Sequence, residues 1–216
     1  MRSMLVIGLG HFGTHLALKL SELGNEVMVV DRDEEAVNKI APQVTTALVG
    51  DCMSPEILKS LGVGNFDICF VCISDNFQSS LEITSLLKDL GARYVISKTD
   101  RDIHAKFLRR IGADEVIFPE RDMAQRTAFR CSARNAFQYI ELTPEYAIFE
   151  MSLPDNWSGK SVKQLNVRSR HNINIIAVKR NEHVVPITSP DYVFAHNEHI
   201  FVAGSKQDLI KLMDKN

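Results

Sequence analysis

One run of residues has types and spacing suited to a single task, the holding of a diphosphate: Gly8-Leu9-Gly10-His11-Phe12-Gly13. Gly8 permits a tight turn, Gly10 lets the backbone approach phosphate oxygens, and Gly13 lets the following helix pack closely on the preceding strand. A helix opening at His11 adds unpaired N–H groups and a partial positive charge. Asp31 ends the next apolar run, where its carboxylate can accept hydrogen bonds from both ribose hydroxyls. That charge also repels a 2′-phosphate and so disfavours NADP, although Arg32 beside it works the other way. Gly50-Asp51-Cys52 follow a third run, at the place where an adenine is wrapped. A glycine motif alone is weak, but strand, glycines, helix and acid in register point to an adenosine diphosphate moiety. NAD, ATP, ADP and AMP share this part of the site, so the choice among them stays open. Ser74 and Asp75, with Asn76 as helix cap, follow the fourth strand, and Lys98, the last residue of the fifth, completes this part of the candidate set.

Other groups carry less. Cys69 and Cys72 have a CxxC spacing but lie within Ile68-Cys69-Phe70-Val71-Cys72-Ile73, a strand-like run in which residues three apart face opposite sides. They read as buried thiols. His196-Asn197-Glu198-His199 lacks a distant third metal ligand and reads as a solvated turn. His171 and His183 have no neighbouring carboxylate pattern, so no residue is assigned a catalytic role and none a metal.

The elements that must position these groups follow from periodicity. The first 118 residues alternate β-branched runs with amphipathic segments, the signature of βαβ units and a parallel sheet. Strands are predicted at 3–8, 26–31, 45–49, 67–73, 94–98 and 115–118, and helices at 11–23, 33–40, 55–61, 76–90 and 102–111. Gly24, Gly62, Gly91 and Gly112 mark helix ends. A further helix is predicted over 121–139, with Met123, Ala124, Ala128, Cys131, Asn135 and Ala136 about a turn apart, and needs a surface outside the sheet to pack on. Strands at 147–153, 173–179, 183–187 and 199–203, a short helix near 161–165 and a closing helix at 208–213 make a small α+β module. The fold class is therefore α/β, a Rossmann-like doubly wound parallel sheet over 1–120, a crossover helix over 121–140 and a small α+β domain over 141–216.

Composition sets the exclusions. With 45% hydrophobic and 24% charged residues, the 216-residue chain has the balance of a globular protein. A net charge of −2 gives no basic face for phosphate backbones, which argues against nucleic acid as a partner. No apolar run reaches the roughly 20 residues of a membrane span, and four scattered cysteines fit a reducing compartment, so a cytoplasmic location is expected.

Val6 to Gly13, Asp31, Gly50-Asp51, Ile111-Gly112-Ala113-Asp114-Glu115-Val116-Ile117, Pro119-Glu120-Arg121-Asp122-Met123 and Leu165-Asn166-Val167-Arg168 together resemble the regulator of potassium conductance (RCK) family, in the domain order of Trk/Ktr-type potassium uptake proteins. The likeness covers nearly the whole chain. It implies a non-enzymatic regulatory subunit whose first domain binds NAD, ADP, ATP or AMP. It also implies a crossover helix that pairs with a neighbour, dimers that assemble into an octameric ring, and a membrane potassium-translocating subunit beside which the chain sits peripherally. Relatives that distinguish ATP often carry arginine after the second glycine; His11 stands there, a shorter side chain of the type that changes charge near neutral pH. Glu120 matches an acidic position that faces a neighbour's ligand or holds a cation. Some relatives bind cyclic di-AMP in the last module, for which Arg168, Ile175 and Pro186 are the aligned positions. The competing readings are a small NAD-dependent oxidoreductase, against which the absence of a substrate domain argues, and a soluble redox or transcription regulator.

Overall fold

The computed structural model describes residues 1–73, 75–132, 136–181 and 183–213, which fall into two compact units, Met1–Arg121 and Asp122–Asn216. In the first, strands β1 (Ser3–Ile7), β2 (Glu26–Asp31), β3 (Thr46–Val49), β4 (Ile68–Val71), β5 (Val95–Lys98) and β6 (Glu115–Ile117) form a six-stranded sheet in the order β3-β2-β1-β4-β5-β6. All neighbours pair in parallel. Helices α1 (His11–Glu22), α2 (Glu34–Ile40), α3 (Pro55–Leu61), α4 (Phe77–Asp89) and α5 (Asp102–Arg110) make the crossovers. The four helix-ending glycines have positive φ.

The central strands are apolar on both faces because helices cover both. Leu5 and Ile7 of β1 and Cys69 and Val71 of β4 pack with Leu58, Ile83 and Leu87 on one side. Met4 and Val6, with Phe70 and Cys72, pack against Ala17, Val37 and Ile40 on the other. Each fully buried aliphatic side chain contributes about 1.5–3 kcal/mol. Cys69 and Cys72 thus lie on opposite faces, as their spacing implies, and burial pushes both thiols up to about 12.

The predicted helix over 121–139 is corrected at its far end. Helix α6 runs Pro119–Ser132, Asn135 lies outside the described residues, and Ala136–Glu141 is strand β7, paired antiparallel with β8 (Tyr146–Ser152). Phe137-Gln138-Tyr139-Ile140 carries aromatic and β-branched residues at period two, and that pattern wins once β8 supplies backbone partners. Tyr139 is buried in the core with its ring edge-on to Phe149 at 5.1 Å.

The second unit is a five-stranded antiparallel sheet in the order β10-β9-β11-β8-β7, with β9 at Ile173–Arg180, β10 at His183–Pro186 and β11 at His199–Ser205. Helices α7 (Val162–Leu165), α8 (Val167–His171) and α9 (Lys206–Met213) accompany it. Ala147, Phe149, Met151, Trp157, Phe194, Ile200 and Val202 form its core. No helix among the described residues is long and apolar enough to cross a membrane.

Candidate functional site

The carboxyl ends of the parallel strands surround a cleft of about 570 Å³ at the point where the strand order reverses, between β1 and β4. Gly8, Leu9, Gly10, His11, Phe12, Asp31, Arg32, Asp51, Cys52, Asp75, Lys98 and Glu120 all line it. Gly13 does not, and Ser74 lies outside the described residues.

The glycines divide by what surrounds them. A Cβ on Gly13 would lie 1.9 Å from Gly8 O and 3.2 Å from Cys72 Cβ, so α1 reaches the sheet this closely only without a side chain there. Gly10 has φ −60° and ψ 179°, open to any residue, and a Cβ on it would meet nothing within 4 Å. The packing of the chain itself makes no demand for glycine at position 10. Helix α1 also opens without a side-chain cap, whereas Asp33 caps α2 and Asn76 caps α4. The first-turn N–H groups of α1 therefore have no side-chain acceptor, the condition that makes a helix start an anion site.

Asp31 joins the second strand to the glycine loop, accepting from Leu9 N–H through Oδ2 and from Asp33 N–H through Oδ1 at 2.9 Å. Each carboxylate oxygen keeps a further lone pair for a hydroxyl. Asp51 likewise folds its own turn, accepting from Met53 N–H at 2.9 Å. Cys52 is buried, and burial, then the nearby Asp51 and Asp31 charges, push its thiol up to about 12, so it offers shape rather than a nucleophile. Lys98 is buried with Nζ 2.6 Å from Glu120 Oε1 and 5.7 Å from the Phe12 ring centroid. The bond from Lys98 holds the Glu120 carboxyl below its usual range, against the opposing effect of partial burial.

Ala36, Met53, Ser79 and Ile83 also line the cleft and were not anticipated from the sequence. Ser79 and Ile83 lie three and seven residues after the cap Asn76 on α4, so helical periodicity from the cap was the available signal.

The second unit has a smaller cleft of about 280 Å³ lined in part by Asp155, His196, Glu198 and His199. The expectation of a solvated turn over 196–199 holds at the exposed His196 and Asn197 and is corrected at Glu198, which is 2% exposed. It accepts from Arg180 through Nε (2.9 Å) and Nη2, from Tyr192 Oη at 2.7 Å and from Ala195 N–H at 2.9 Å. The left-handed backbone of Asn197, φ 66°, turns the chain so that Glu198 points inward. His199 Nδ1 meets buried Glu150 Oε1 at 3.0 Å, and the Phe137 ring stacks on the imidazole at 4.2 Å. Among the described residues no group of three or more His, Cys, Asp or Glu is placed to hold a metal. Arg168 donates to Asn174 Oδ1 at 2.7 Å, Ile175 packs on the core and Pro186 lies on the exposed β10; none of them lines either cleft.

The TrkA-N domain model matches residues 4–119 and the TrkA-C domain model residues 147–215. The chain is 38% identical over 204 residues to Ktr system potassium uptake protein C of Bacillus subtilis, covering 94% of this chain and 92% of that protein. The chain belongs to the Trk/Ktr-type RCK family. Ktr system potassium uptake protein A of the same organism is 35% identical over the same coverage. Among solved structures, the GsuK channel bound to NAD superposes with a TM-score of 0.69 at 18% identity, over 99% of this chain and 39% of that one. This likeness concerns the fold, and the chain spans well under half of that longer protein.

Proposed function

We propose that this chain is a regulatory subunit of a potassium uptake system, and that its first unit binds an adenine nucleotide (NAD, ADP, ATP or AMP) without transforming it. The observation that carries the reading is Gly10: a glycine required by nothing in the chain faces the uncapped start of α1 across from Asp31. A diphosphate on the helix start needs that space, and a ribose needs that carboxylate. The two Bacillus subtilis relatives, matched over 92% of their own length, are potassium uptake proteins, and the solved channel of like fold carries NAD.

Regulation follows when the nucleotide binds two assembly states with different affinity. The states proposed are those of a ring of dimers, octameric when complete, joined through α6 and placed at the cytoplasmic face of a potassium-translocating membrane subunit. Cyclic di-AMP in the second unit remains part of the proposal only at Arg168, Ile175 and Pro186. Titration calorimetry with AMP, ADP, ATP, NAD and NADH, combined with light scattering, tests the reading. Binding of at least one nucleotide by an oligomer, with no NADH turnover, is the expected result. A monomer indifferent to all five overturns it.

A further inference from the structure

The cleft at the carboxyl ends of the parallel strands is acidic for a site that takes an anion. Asp31 and Asp33 at the end of β2, Asp51 beyond β3, Asp75 before α4 and Glu120 on α6 all line it. Two fixed cations, Arg32 and Lys98, oppose these carboxylates, and Lys98 is already paired with Glu120 at 2.6 Å. The titratable groups that remain among the described lining residues are Cys52, whose thiol is held up to about 12, and His11. Carboxyl, ammonium and guanidinium groups ordinarily keep one charge from about pH 6 to about pH 8. An imidazole is the group that changes charge there.

The place of His11 makes that change count. It is the first residue of α1, directly after Gly10, where the open glycine and the uncapped N–H groups leave room for a diphosphate. Its side chain is exposed, and among the described residues no hydrogen bond, ion pair or ring contact holds the imidazole. It is free to turn to an anion seated on the helix start. His15, one turn further along α1, does not line the cleft, and His104 is stacked on Phe77 at 3.7 Å. We infer that nucleotide binding in this cleft is coupled to protonation of His11, so that affinity rises as pH falls from about 8 to about 6. The inference rests on the nucleotide reading of the cleft. A bound anion favours the charged form of an imidazole beside it, and by linkage the charged imidazole holds the anion more tightly. Arginine at this position would give a permanent charge and glutamine none, whereas histidine makes the contact conditional. Occupancy of the cleft then responds to acidity as well as to nucleotide.

Titration calorimetry of the full chain at about pH 6 and about pH 8 tests this, with NAD as the first probe. The bridged diphosphate of NAD has no group that titrates between them, whereas a terminal phosphate titrates near about pH 6. Wild type is expected to bind NAD about five- to tenfold more tightly at the lower pH, the size of one partly exposed charged contact. It should also take up a proton on binding, read from buffers of different ionisation enthalpy. His11→Arg should bind tightly at both pH values and His11→Gln weakly at both, while His15→Gln follows wild type. ADP is titrated in parallel, and the pH response left in His11→Arg is the ligand's own share. A wild type indifferent to pH once that share is removed, or one whose response persists in His11→Gln, overturns the inference and leaves nucleotide binding standing. So does loss of the response in His15→Gln. A chain that binds neither NAD nor ADP at either pH defeats both readings.

Discussion

The two units bury opposite charges. In the first, the cation Lys98 is buried and its carboxylate Glu120 is exposed. In the second, the carboxylates Glu150 and Glu198 are buried, and the Arg180 side chain that pairs with Glu198 is 58% exposed. Glu198 is also saturated, with Tyr192 and the Ala195 backbone completing its partners. A buried group whose bonding capacity is spent inside the fold acts as a tie between strands and loops. Charge burial thus ties strand and loops together at Glu198, whereas Lys98 faces the cleft.

The largest effect should appear at Gly13, where α1 meets the glycine loop without room for a side chain. Gly13→Ala, which sets a methyl against the Gly8 carbonyl, is expected to destabilise the first unit by about 3 kcal/mol or more. Gly10→Ala should leave the unfolding free energy from urea titration within about 1 kcal/mol of wild type yet weaken nucleotide binding on the order of tenfold. Equal loss of stability in the two variants would remove the distinction between packed and open glycines.

Next comes the contrast of the buried charges themselves. Glu198→Ala strands the Tyr192 hydroxyl and the Ala195 N–H and should cost about 2–3 kcal/mol in chemical denaturation. Lys98→Gln frees only an exposed carboxylate and should cost about 1 kcal/mol or less. Similar costs would break the comparison.

Thiol reactivity gives a smaller, sharper readout. Cys131 is exposed, while Cys52, Cys69 and Cys72 are buried with their thiols held up to about 12. Labelling at about pH 8 should modify Cys52, Cys69 and Cys72 only after denaturation. Fast modification of Cys52 would show the cleft opening on the timescale of the experiment.

The smallest effect concerns acid. Burial of Asp114 tends to raise its carboxyl, but bonds from Val95 N–H and Lys88 outweigh that and lower it. Asp208 is lowered by Asn172, then Ser205 and Lys211. A folded carboxyl below its unfolded value stabilises fully above the ordinary aspartate range, and that contribution is lost as pH falls through the folded value. Thermal unfolding followed from about pH 6 to about pH 3 should show stability falling at the acid end, less steeply in Asp114→Asn and Asp208→Asn.

Much of the first unit was legible because parallel strands write their positions twice, as apolar runs and as the groups that follow them. Gly10, Asp31, Asp51 and Asp75 each come at or just past a strand end, and a parallel sheet gathers all such ends on one edge. The antiparallel unit has no such rule. Strand β7 was hidden because Tyr139 and Phe137 have meaning only beside β8 and β11, and Glu198 read as a solvated turn until Asn197 turned it toward Arg180 and Tyr192.

By itself the sequence determined the parallel sheet, the glycine turn after its first strand and the family, since periodicity and glycine placement are local properties of the chain. Only the tertiary structure decided which charges are buried. Whether Lys98 or Glu120 loses its water, and whether Glu198 keeps its own, depends on what distant segments pack over them, and desolvation is a property of that packing.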